Sequence, residues 1–299
     1  MLTGVRVLLL GGDARQLEVI RKLTELDASV TISGFDGLHS SLDGAVQAEF
    51  EEQLFEAVDA LLLPAVGTDD QGIIHAVFSD REMQVTEGHF SKLPKHCTVY
   101  TGMAKSYLRQ LCEKHSLSLV ELFDRDDVAI YNSIPTAEGA LMMAIQNTDI
   151  TIHGSSSMVL GFGRTGFTMA RTLKGLGSKV KVGVRRSEHF ARAAEMGFEP
   201  FYISGLLQHV SNIDLLFNTI PTMIVTAQII ANLPSRAVII DLASKPGGTD
   251  FRFAEKRGIK AMLAPGLPGI VAPKTAGRIM ADCLSQLILD DTIKRGNGI

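Results

Sequence analysis

The sequence contains no tryptophan and only three cysteines, Cys97, Cys112 and Cys283. The cysteines are far apart and form no CxxC pair, which favours reduced thiols in a cytosolic protein and argues against a zinc site. A basic excess is also missing, because the formal net charge is −4. This argues against a protein built around nucleic acid. The first apolar run, in VRVLLLGGD, is too short for a signal sequence or a membrane span and leads into a glycine turn.

Strand-like apolar runs alternate with helical stretches along all 299 residues, and this length suggests two domains. Apolar residues make up 45% and charged residues 21%, as in ordinary globular enzymes. The apolar runs are continuous, which is typical of strands that helices cover on both faces. We therefore predict an α/β fold with two doubly wound Rossmann-like domains and a cleft between them.

Four segments follow from this pattern. They are a Rossmann-like (flavodoxin-like) substrate domain over 1–132, a connecting helix over 133–150, an NADP-binding Rossmann domain over 151–275 and a C-terminal helix over 276–299. The connecting helix should begin near Ser133 and Pro135, because proline is favoured in the first turn. The amphipathic pattern of the last segment permits packing on the first domain.

A G-x-G-x-x-G motif directly follows a predicted strand and opens a predicted helix at Gly161, Gly163 and Gly166. The first glycine allows a tight turn, the second admits a pyrophosphate and the third permits close contact of helix and strand. Backbone N–H groups and the positive helix end would meet the phosphate charge. The motif predicts dinucleotide contacts from Gly161, Phe162, Gly163, Arg164, Thr165 and Gly166. The alternative is an unoccupied turn whose glycines serve packing.

The residues that follow the next predicted strand bear on the choice of nucleotide. About 20 residues beyond the turn, where NAD sites usually offer Asp or Glu, stand Arg185, Arg186 and Ser187. A carboxylate would repel a 2′-phosphate, whereas a guanidinium can pair with it bidentately. These residues favour NADP as cofactor over NAD. The alternative is a pair of solvated surface arginines.

Two further loops, FNTIP and DLASKPGG, place small polar residues directly after apolar strands. Ligands of open α/β sheets bind outside the carboxyl ends of the strands. The predicted contacts bordering the nicotinamide are therefore Asn218, Thr219, Pro221, Asp241 and Ala243. For Asp241 a buried role in organising its loop is an equal alternative.

The first half has GGDARQ at the corresponding position and lacks a G-x-G-x-x-G. No second dinucleotide is therefore expected. Asp13, Arg15 and Gln16 follow the first strand and are predicted to contact a polar substrate. The alternative for Asp13 is a simple helix cap.

Five motifs in one order resemble the A-subunit family of dipicolinate synthase along essentially the full chain: GGDARQ, NSIPTAEGA, VLGFGRTG, DLASKPGGTDF and APGLPGIVAPKTAG. The second half is also similar to the nucleotide domains of alanine dehydrogenase, adenosylhomocysteinase and 2-hydroxyacid dehydrogenases. The resemblance implies an enzyme of bacterial spore formation in the mother-cell cytoplasm. It would oxidise a cyclic intermediate of the lysine pathway to pyridine-2,6-dicarboxylate with NADP. A flavoprotein-like B chain is the implied partner in an oligomer.

Such an oxidation removes a hydride and a proton from the ring, and two substrate carboxylates need cationic or N–H partners. The predicted catalytic residues are Lys105, Glu138 and Lys274, and further predicted substrate contacts are Thr101, Gly102, Ser133, Thr136 and Lys245. Each lysine has the alternative of a solvated surface charge, and Glu138 that of favouring a helix's first turn. No convincing acid–base pair is apparent, so the general base stays unassigned.

Three functions remain open on the sequence. The first is an NADP-dependent oxidoreductase acting on a small heterocyclic dicarboxylate. The second is a nucleotide-binding scaffold or regulatory subunit whose partner performs the chemistry. The third, similar to adenosylhomocysteinase, keeps its cofactor bound and recycles it within one turnover.

Overall fold

The computed structural model describes residues 1–38 and 42–296. Its strands are β1 Arg6–Leu10, β2 Ser29–Ser33, β3 Ala45–Gln47, β4 Ala60–Leu62, β5 Ile73–Ile74, β6 Met83–Gln84, β7 Thr98–Thr101, β8 Ser118–Glu121, β9 Ser156–Leu160, β10 Lys179–Val184, β11 Glu199–Tyr202, β12 Leu215–Asn218, β13 Val238–Asp241 and β14 Lys260–Leu263. Its α-helices are α1 Ala14–Glu25, α2 Glu87–Lys92, α3 Ser106–His115, α4 Asp126–Asn147, α5 Arg164–Gly175, α6 Ser187–Glu195, α7 Ala227–Ala231, α8 Phe251–Arg257, α9 Leu267–Val271 and α10 Pro273–Gly296. Short 3₁₀ helices cover Glu52–Phe55, Leu122–Asp124 and Ile203–His209.

The chain divides into two units, the first formed by Met1–Val128 with Ala272–Ile299 and the second by Ala129–Val271. In the first unit a six-stranded parallel sheet has the order β3-β2-β1-β4-β7-β8. Without the small antiparallel pair β5–β6, this is the Rossmann order 3-2-1-4-5-6. The flavodoxin-like description of this domain was wrong, because the short strand β3 extends the sheet beyond β2.

Strand β1 shows why the apolar runs are continuous. Val7 and Leu9 belong to the apolar cluster on one face of the sheet, and Leu8 and Leu10 belong to the cluster on the other. Successive side chains of a strand point to opposite faces, so a strand covered on both sides needs apolar residues at every position.

The C-terminal helix α10 completes the first unit. Met280, Leu284 and Ile288 lie at four-residue spacing and join the same cluster as Val7 and Leu9. Burying such side chains contributes about 1.5–3 kcal/mol each. The helix begins three residues before the predicted segment 276–299, whose last three residues lie outside the described part of the chain.

The second unit repeats the same sheet order as β11-β10-β9-β12-β13-β14, again with parallel pairing throughout. Met158 and Leu160 of β9 lie in one apolar cluster and Val159 lies in the other. The prediction of an α/β fold with two Rossmann-like parallel sheets is confirmed.

Helix α4 begins seven residues before the predicted start of the connecting helix and ends at Asn147 rather than at residue 150. Two carboxylates, Asp126 and Asp127, lie in its first turn, where the positive end of the helix dipole favours them. Pro135 therefore lies inside the helix and does not open it, and its buried ring is part of the packing. Glu138 accordingly lies in the middle of α4, so its proposed role in a first turn is wrong.

The cysteine thiols give a first testable prediction. Cys97 and Cys112 are 1% and 2% exposed, and burial raises the pKa of each thiol to about 12. Thiol reagents attack the thiolate, so we expect the native chain to react only at the half-buried Cys283. A colorimetric thiol titration should count three groups only after denaturation. Rapid native labelling that persists in Cys283→Ser would contradict this.

Candidate dinucleotide-binding site

The glycine turn between β9 and α5 has two glycines that packing requires and one that faces open space. Gly161 has a φ of +95°, and a Cβ there would overlap the hydroxyl of Thr219. A Cβ on Gly166 would overlap the carbonyl oxygen of Gly161. Around Gly163, by contrast, no heavy atom lies within 4 Å of an added Cβ. The turn therefore leaves room for a ligand at its second glycine.

Helix α5 points its N-terminus at this opening. Gly163 is the N-cap and offers no side-chain cap, and the first turn contains no carboxylate. The first N–H groups of an α-helix have no intrahelical partner, and the helix dipole adds positive potential there. Met169, Ala170 and Leu173 bury the opposite side of the helix in the core. The rigid turn therefore presents N–H groups suited to a phosphate.

The ring of Phe162 belongs to the core rather than to the opening. It lies 5.3 Å from the ring of Phe167 and 5.9 Å from that of Phe198, measured between ring centroids. Only the backbone of Phe162 can serve a ligand in the turn. Arg164 is exposed and Thr165 is partly exposed in the first turn of α5.

The residues after β10 are all exposed, but the two arginines differ. The guanidinium of Arg186 pairs with the carboxylate of Glu188. The pKa of Glu188 is lowered first by its own backbone N–H and then by Arg186. No ion pair or side-chain hydrogen bond joins Arg185 to any residue that the structure describes. Ser187 opens α6. Arg185 is therefore the guanidinium with its charge available to an anion.

The loops after β12 and β13 are held together by a buried polar network. Asp241 is 0% exposed, and its two carboxylate oxygens accept hydrogen bonds from four donors. The donors are Asn218 Nδ2 (3.0 Å), the N–H groups of Ala243 (3.0 Å) and Gly248 (2.8 Å), and the hydroxyl of Thr249 (2.6 Å). Asn218 is also 0% exposed. Its Nδ2 donates to the carbonyl of Ile220, and its Oδ1 accepts from the N–H of Ile220.

This network shows which of the predicted nicotinamide contacts are already bonded within the protein. Asn218 and Asp241 organise the two loops, because their side chains are fully buried and bonded within the protein. Thr219 donates its hydroxyl to the carbonyl of Leu160, 2.8 Å away, and so closes the glycine turn. Pro221 is exposed, whereas Ala243 is buried. The geometry of Asp241 agrees with the alternative role, in which its buried carboxylate organises the loop.

In the first unit Asp13 caps α1. Asp13 and Gln16 form a capping box, and Arg15 donates to both oxygens of Asp13, with Nη2 2.6 Å from Oδ2. Burial would raise the pKa of Asp13, but the bonds and charge of Arg15, with the charge of His75, lower it overall. The side chains of Arg15 and Gln16 both bind Asp13, and the predicted contacts of these three residues with a substrate remain predictions.

Four other predicted substrate contacts are committed to local structure. Thr101 is 1% exposed and donates to the carbonyl of Pro64, and a Cβ on Gly102 would overlap the carbonyl of Ala65. Ser133 is 1% exposed, bonds the hydroxyl of Thr168 at 2.6 Å and donates to Ile130. Thr136 donates to the carbonyl of Asn132 within α4. Ser133 lies inside α4, and its hydroxyl joins this helix to α5.

The predicted charged groups of the reaction are all exposed: Lys105, Glu138, Lys245 and Lys274. Lys105 lies 4.0 Å from the carboxylate of Asp70, a distance at the limit of an ion pair. Lys274 lies in the first turn of α10 and belongs to the first unit, not to the predicted domain 151–275. Their roles remain predictions.

The position of His75, at the end of the first sheet, is not indicated by any local pattern in the sequence. The N–H of Gly12 donates to the carbonyl of His75, and the N–H of Val77 donates to the carbonyl of Gly12, both at 2.8 Å. Tertiary pairing alone brings residue 75 beside Gly12, so no local pattern in the sequence marks it.

Two general properties of the described residues bear on the class of site. No group of three or more His, Cys, Asp or Glu side chains there could hold a metal ion. No helix in the same residues has the length and apolarity to cross a membrane.

The fold and the open glycine turn define an α/β protein with a Rossmann-type dinucleotide-binding unit. Residues 6–123 match the family model of the N-terminal domain of the dipicolinate synthase A subunit, and residues 151–283 match that of the acetohydroxy acid isomeroreductase NADPH-binding domain. The A subunit of dipicolinate synthase from Bacillus subtilis (strain 168) is 50% identical over 296 residues, 99% of this chain and 100% of that protein. The chain belongs to the A-subunit family of dipicolinate synthase.

Solved structures agree with this assignment. The crystal structure of the A subunit of dipicolinate synthase from Bacillus halodurans is 55% identical, covers 96% of this chain and 99% of its own, and superposes with a TM-score of 0.94. An L-alanine dehydrogenase is 15% identical and has a TM-score of 0.62, with 96% of this chain and 91% of its own covered. That likeness concerns the fold alone. The resemblance of the sequence motifs to the A-subunit family of dipicolinate synthase is confirmed.

Proposed function

We propose that this chain is the NADP-dependent subunit of a dipicolinate synthase. It oxidises a dihydrodipicolinate-type cyclic dicarboxylate to pyridine-2,6-dicarboxylate. The observation that carries the proposal is the open second glycine at the start of α5, in a turn whose other two glycines are closed by packing. The match of residues 151–283 to an NADPH-binding domain supports it.

The donor set fits a dinucleotide that carries an extra phosphate. The turn around Gly163 offers N–H groups and open space to the pyrophosphate. Arg185 stands after β10, where Rossmann domains meet the adenosine ribose, and pairs with no carboxylate among the described residues. When bound, the nicotinamide of NADP supplies a hydride acceptor.

Aromatisation of the ring supplies much of the driving force, so the chain mainly has to bind and align a dicarboxylate. Lys245 is an exposed cation on the loop that Asp241 holds in place. Lys105 and Lys274 are exposed at the starts of helices in the first unit. We propose these lysines as the candidates for the substrate carboxylates, with Glu138 as a further candidate for proton transfer.

The setting of the reaction is also proposed. The name of the relative, which marks it as one of at least two kinds of subunit, supports a partner chain. We propose that this partner is a flavoprotein-like B chain in a hetero-oligomer. The substrate would come from the lysine pathway in the mother-cell cytoplasm of a sporulating bacterium. The partner chain, the pathway and the location are proposed in addition to the family membership.

The decisive experiment supplies freshly generated cyclic precursor and NADP to the chain, with and without the partner chain. Pyridine-2,6-dicarboxylate and NADPH should form in equal amounts. Product formation without nucleotide reduction would contradict the proposal. Single-turnover reduction by the isolated chain separates an enzyme from a scaffold. A nucleotide that survives gel filtration and is never consumed would instead indicate a recycled cofactor.

Arg185→Asp should selectively weaken binding of NADP. The change removes one charge-assisted contact and adds a repelling carboxylate, so we expect a loss on the order of 1.5–3 kcal/mol, roughly 10- to 100-fold in Kd. Binding of NAD should change little, because it lacks the 2′-phosphate. Isothermal titration with both nucleotides measures this difference.

Arg186→Gln is the matched control for that measurement. Because Glu188 already neutralises Arg186, its removal should affect NADP binding less than Arg185→Asp does. Equal NADP affinity of Arg185→Asp and the unaltered chain would mean that another group holds the phosphate.

A further inference from the structure

Helix α4 is apolar around almost its whole circumference. Between Asp127 and Asn147 the only charged residue is Glu138. One side of the helix enters the core of the second unit through three fully buried alanines, Ala137, Ala140 and Ala144. A helix that is apolar all round is normally buried on all sides. The core therefore explains only one side of α4.

The other side of α4 exposes large apolar side chains in a row, with Glu138 at the centre of the row. We call Tyr131, Ile134, Met142 and Ile145 the α4 stripe. Their exposed fractions run from 39% to 61%. At 3.6 residues per turn, the four lie within about 40° on either side of the direction of Glu138. Single apolar side chains on a surface need no explanation, whereas a contiguous apolar patch marks a site of protein interaction.

The spacing of the α4 stripe favours a second copy of this chain as its cover. Tyr131 and Ile145 stand seven residues before and seven residues after Glu138. Ile134 and Met142 stand four residues before and four residues after it. In a two-fold interface, a residue i that contacts residue j of the other copy is matched by j contacting i. An antiparallel pair of α4 helices with its two-fold axis at Glu138 meets this condition for all four side chains.

The shape of the α4 stripe also suits this pairing. Its members and Glu138 are three or four residues apart, a spacing that lets the side chains of two helices interdigitate at a crossing angle of about 20°. A standard interface covers about 800 Å² of each partner, so the stripe would form the centre of the contact. Ile130 and Ile150 are exposed just beyond the two ends of the stripe and enlarge the apolar area.

Glu138 is the one feature that opposes a homodimer. The two-fold axis would bring its carboxylate beside the same carboxylate of the second copy, and like charges repel. The repulsion is useful as a test, because only a two-fold contact brings a residue against itself. A partner helix would also cover Glu138. The arrangement is therefore an alternative to the proton-transfer role proposed for that residue.

We propose that the α4 stripe is the centre of a two-fold interface between two copies of this chain. Tyr131 of each copy packs against Ile145 of the other, and Ile134 packs against Met142. This inference concerns a surface of the second unit and does not rest on the proposed oxidation.

Sedimentation equilibrium of the full chain alone measures the association. The unaltered chain should have twice the mass of one chain at micromolar concentrations. Ile145→Glu places a carboxylate against the ring of Tyr131 in two places, so the dissociation constant of the dimer should rise on the order of 100-fold or more. Met223→Glu is the matched control, because Met223 is 60% exposed on the loop after β12 and lies outside the stripe. It should leave the constant unchanged, and circular dichroism checks that both variants fold.

Glu138→Gln should have the opposite effect. The change removes the repulsion at the two-fold axis and keeps the size of the side chain, so the dimer should become about 5-fold tighter. A weaker dimer would mean that Glu138 faces a cation of the other copy, which the two-fold pairing at this residue excludes.

Disulfide trapping tests the geometry without relying on affinity. In a Cys283→Ser background, where the remaining native thiols are buried, Glu138→Cys should give a cross-linked dimer. Ile134→Cys alone should not, because the two sulfurs would lie about 12 Å apart along the helix axis. A mixture of Ile134→Cys and Met142→Cys chains should cross-link.

Three results would overturn the proposal. The first is a chain that stays monomeric up to its solubility limit, and the second is a dimer that Ile145→Glu leaves intact. The third is Ile134→Cys cross-linking with itself while the mixture does not, which indicates parallel helices. If the chain alone is monomeric and Ile145→Glu abolishes binding of the partner chain, the second copy is the wrong occupant of the stripe. None of these measurements uses NADP reduction, so each leaves the proposed function standing.

Discussion

Asp241→Ala is expected to lower the free energy of unfolding of the second unit by on the order of 4 kcal/mol. The carboxylate is fully buried and accepts from four donors, one at the end of β12 and three in the loop after β13. Each buried donor left without an acceptor costs about 1–3 kcal/mol, with partial relaxation of the loops offsetting part of the sum. Asp241→Asn should be intermediate in stability, because its amide keeps one oxygen as acceptor.

Denaturant unfolding of the full chain followed by circular dichroism measures this effect. Two transitions are expected, since the chain has two units, and Asp241→Ala should shift only the one that belongs to the second. Asp149→Ala is the matched control, because Asp149 is exposed and makes no side-chain bond within the described residues. A shift of equal size in both variants would show that the buried network contributes nothing special.

The glycine turn gives the second large effect. Gly166→Ala forces a Cβ into the carbonyl of Gly161, a backbone atom that cannot move without opening the turn. We expect a loss of stability on the order of 3 kcal/mol together with loss of NADP binding. Thermal unfolding with and without NADP measures both, and NADP should no longer raise the Tm of this variant.

Gly163→Ala tests whether the second glycine is needed for binding the ligand or for the stability of the fold. Its Cβ meets no protein atom within 4 Å, so stability should change by less than about 1 kcal/mol, the typical effect of an alanine at an N-cap. Binding of NADP should nevertheless weaken at least 10-fold, because the methyl group takes space that the pyrophosphate needs. Unchanged affinity would place the pyrophosphate away from this turn.

The parts of the fold that the sequence predicts are those with a local physical cause. Both faces of β1 and β9 are buried, so successive positions of each strand must be apolar, and this gives a continuous apolar run in the sequence. The tight turn at Gly161 and the close contact at Gly166 each demand glycine, so the motif is readable without a structure. The start of α4 was misplaced because Pro135 is a strong local signal that packing inside the helix overrides.

The parts that could not be predicted depend on partners distant in the chain or on competition between neighbours. Arg185 and Arg186 look equivalent in the sequence, and only the structure shows that the carboxylate of Glu188 pairs with Arg186. The position of His75 depends on a backbone pairing with Gly12, more than sixty residues away, which leaves no periodic pattern. Asp13 and Arg15 satisfy each other, an outcome that residue types alone leave open.

Helix α10 has a consequence for the order in which the protein forms during synthesis. The second unit is continuous, so it can fold as soon as Ala129–Val271 has left the ribosome. The first unit must wait for Met280, Leu284 and Ile288, which follow the whole of the second unit in the chain. A nascent chain therefore carries the first sheet with one apolar face covered by α1 but not yet by α10, and a premature stop before α10 would leave that face partly open.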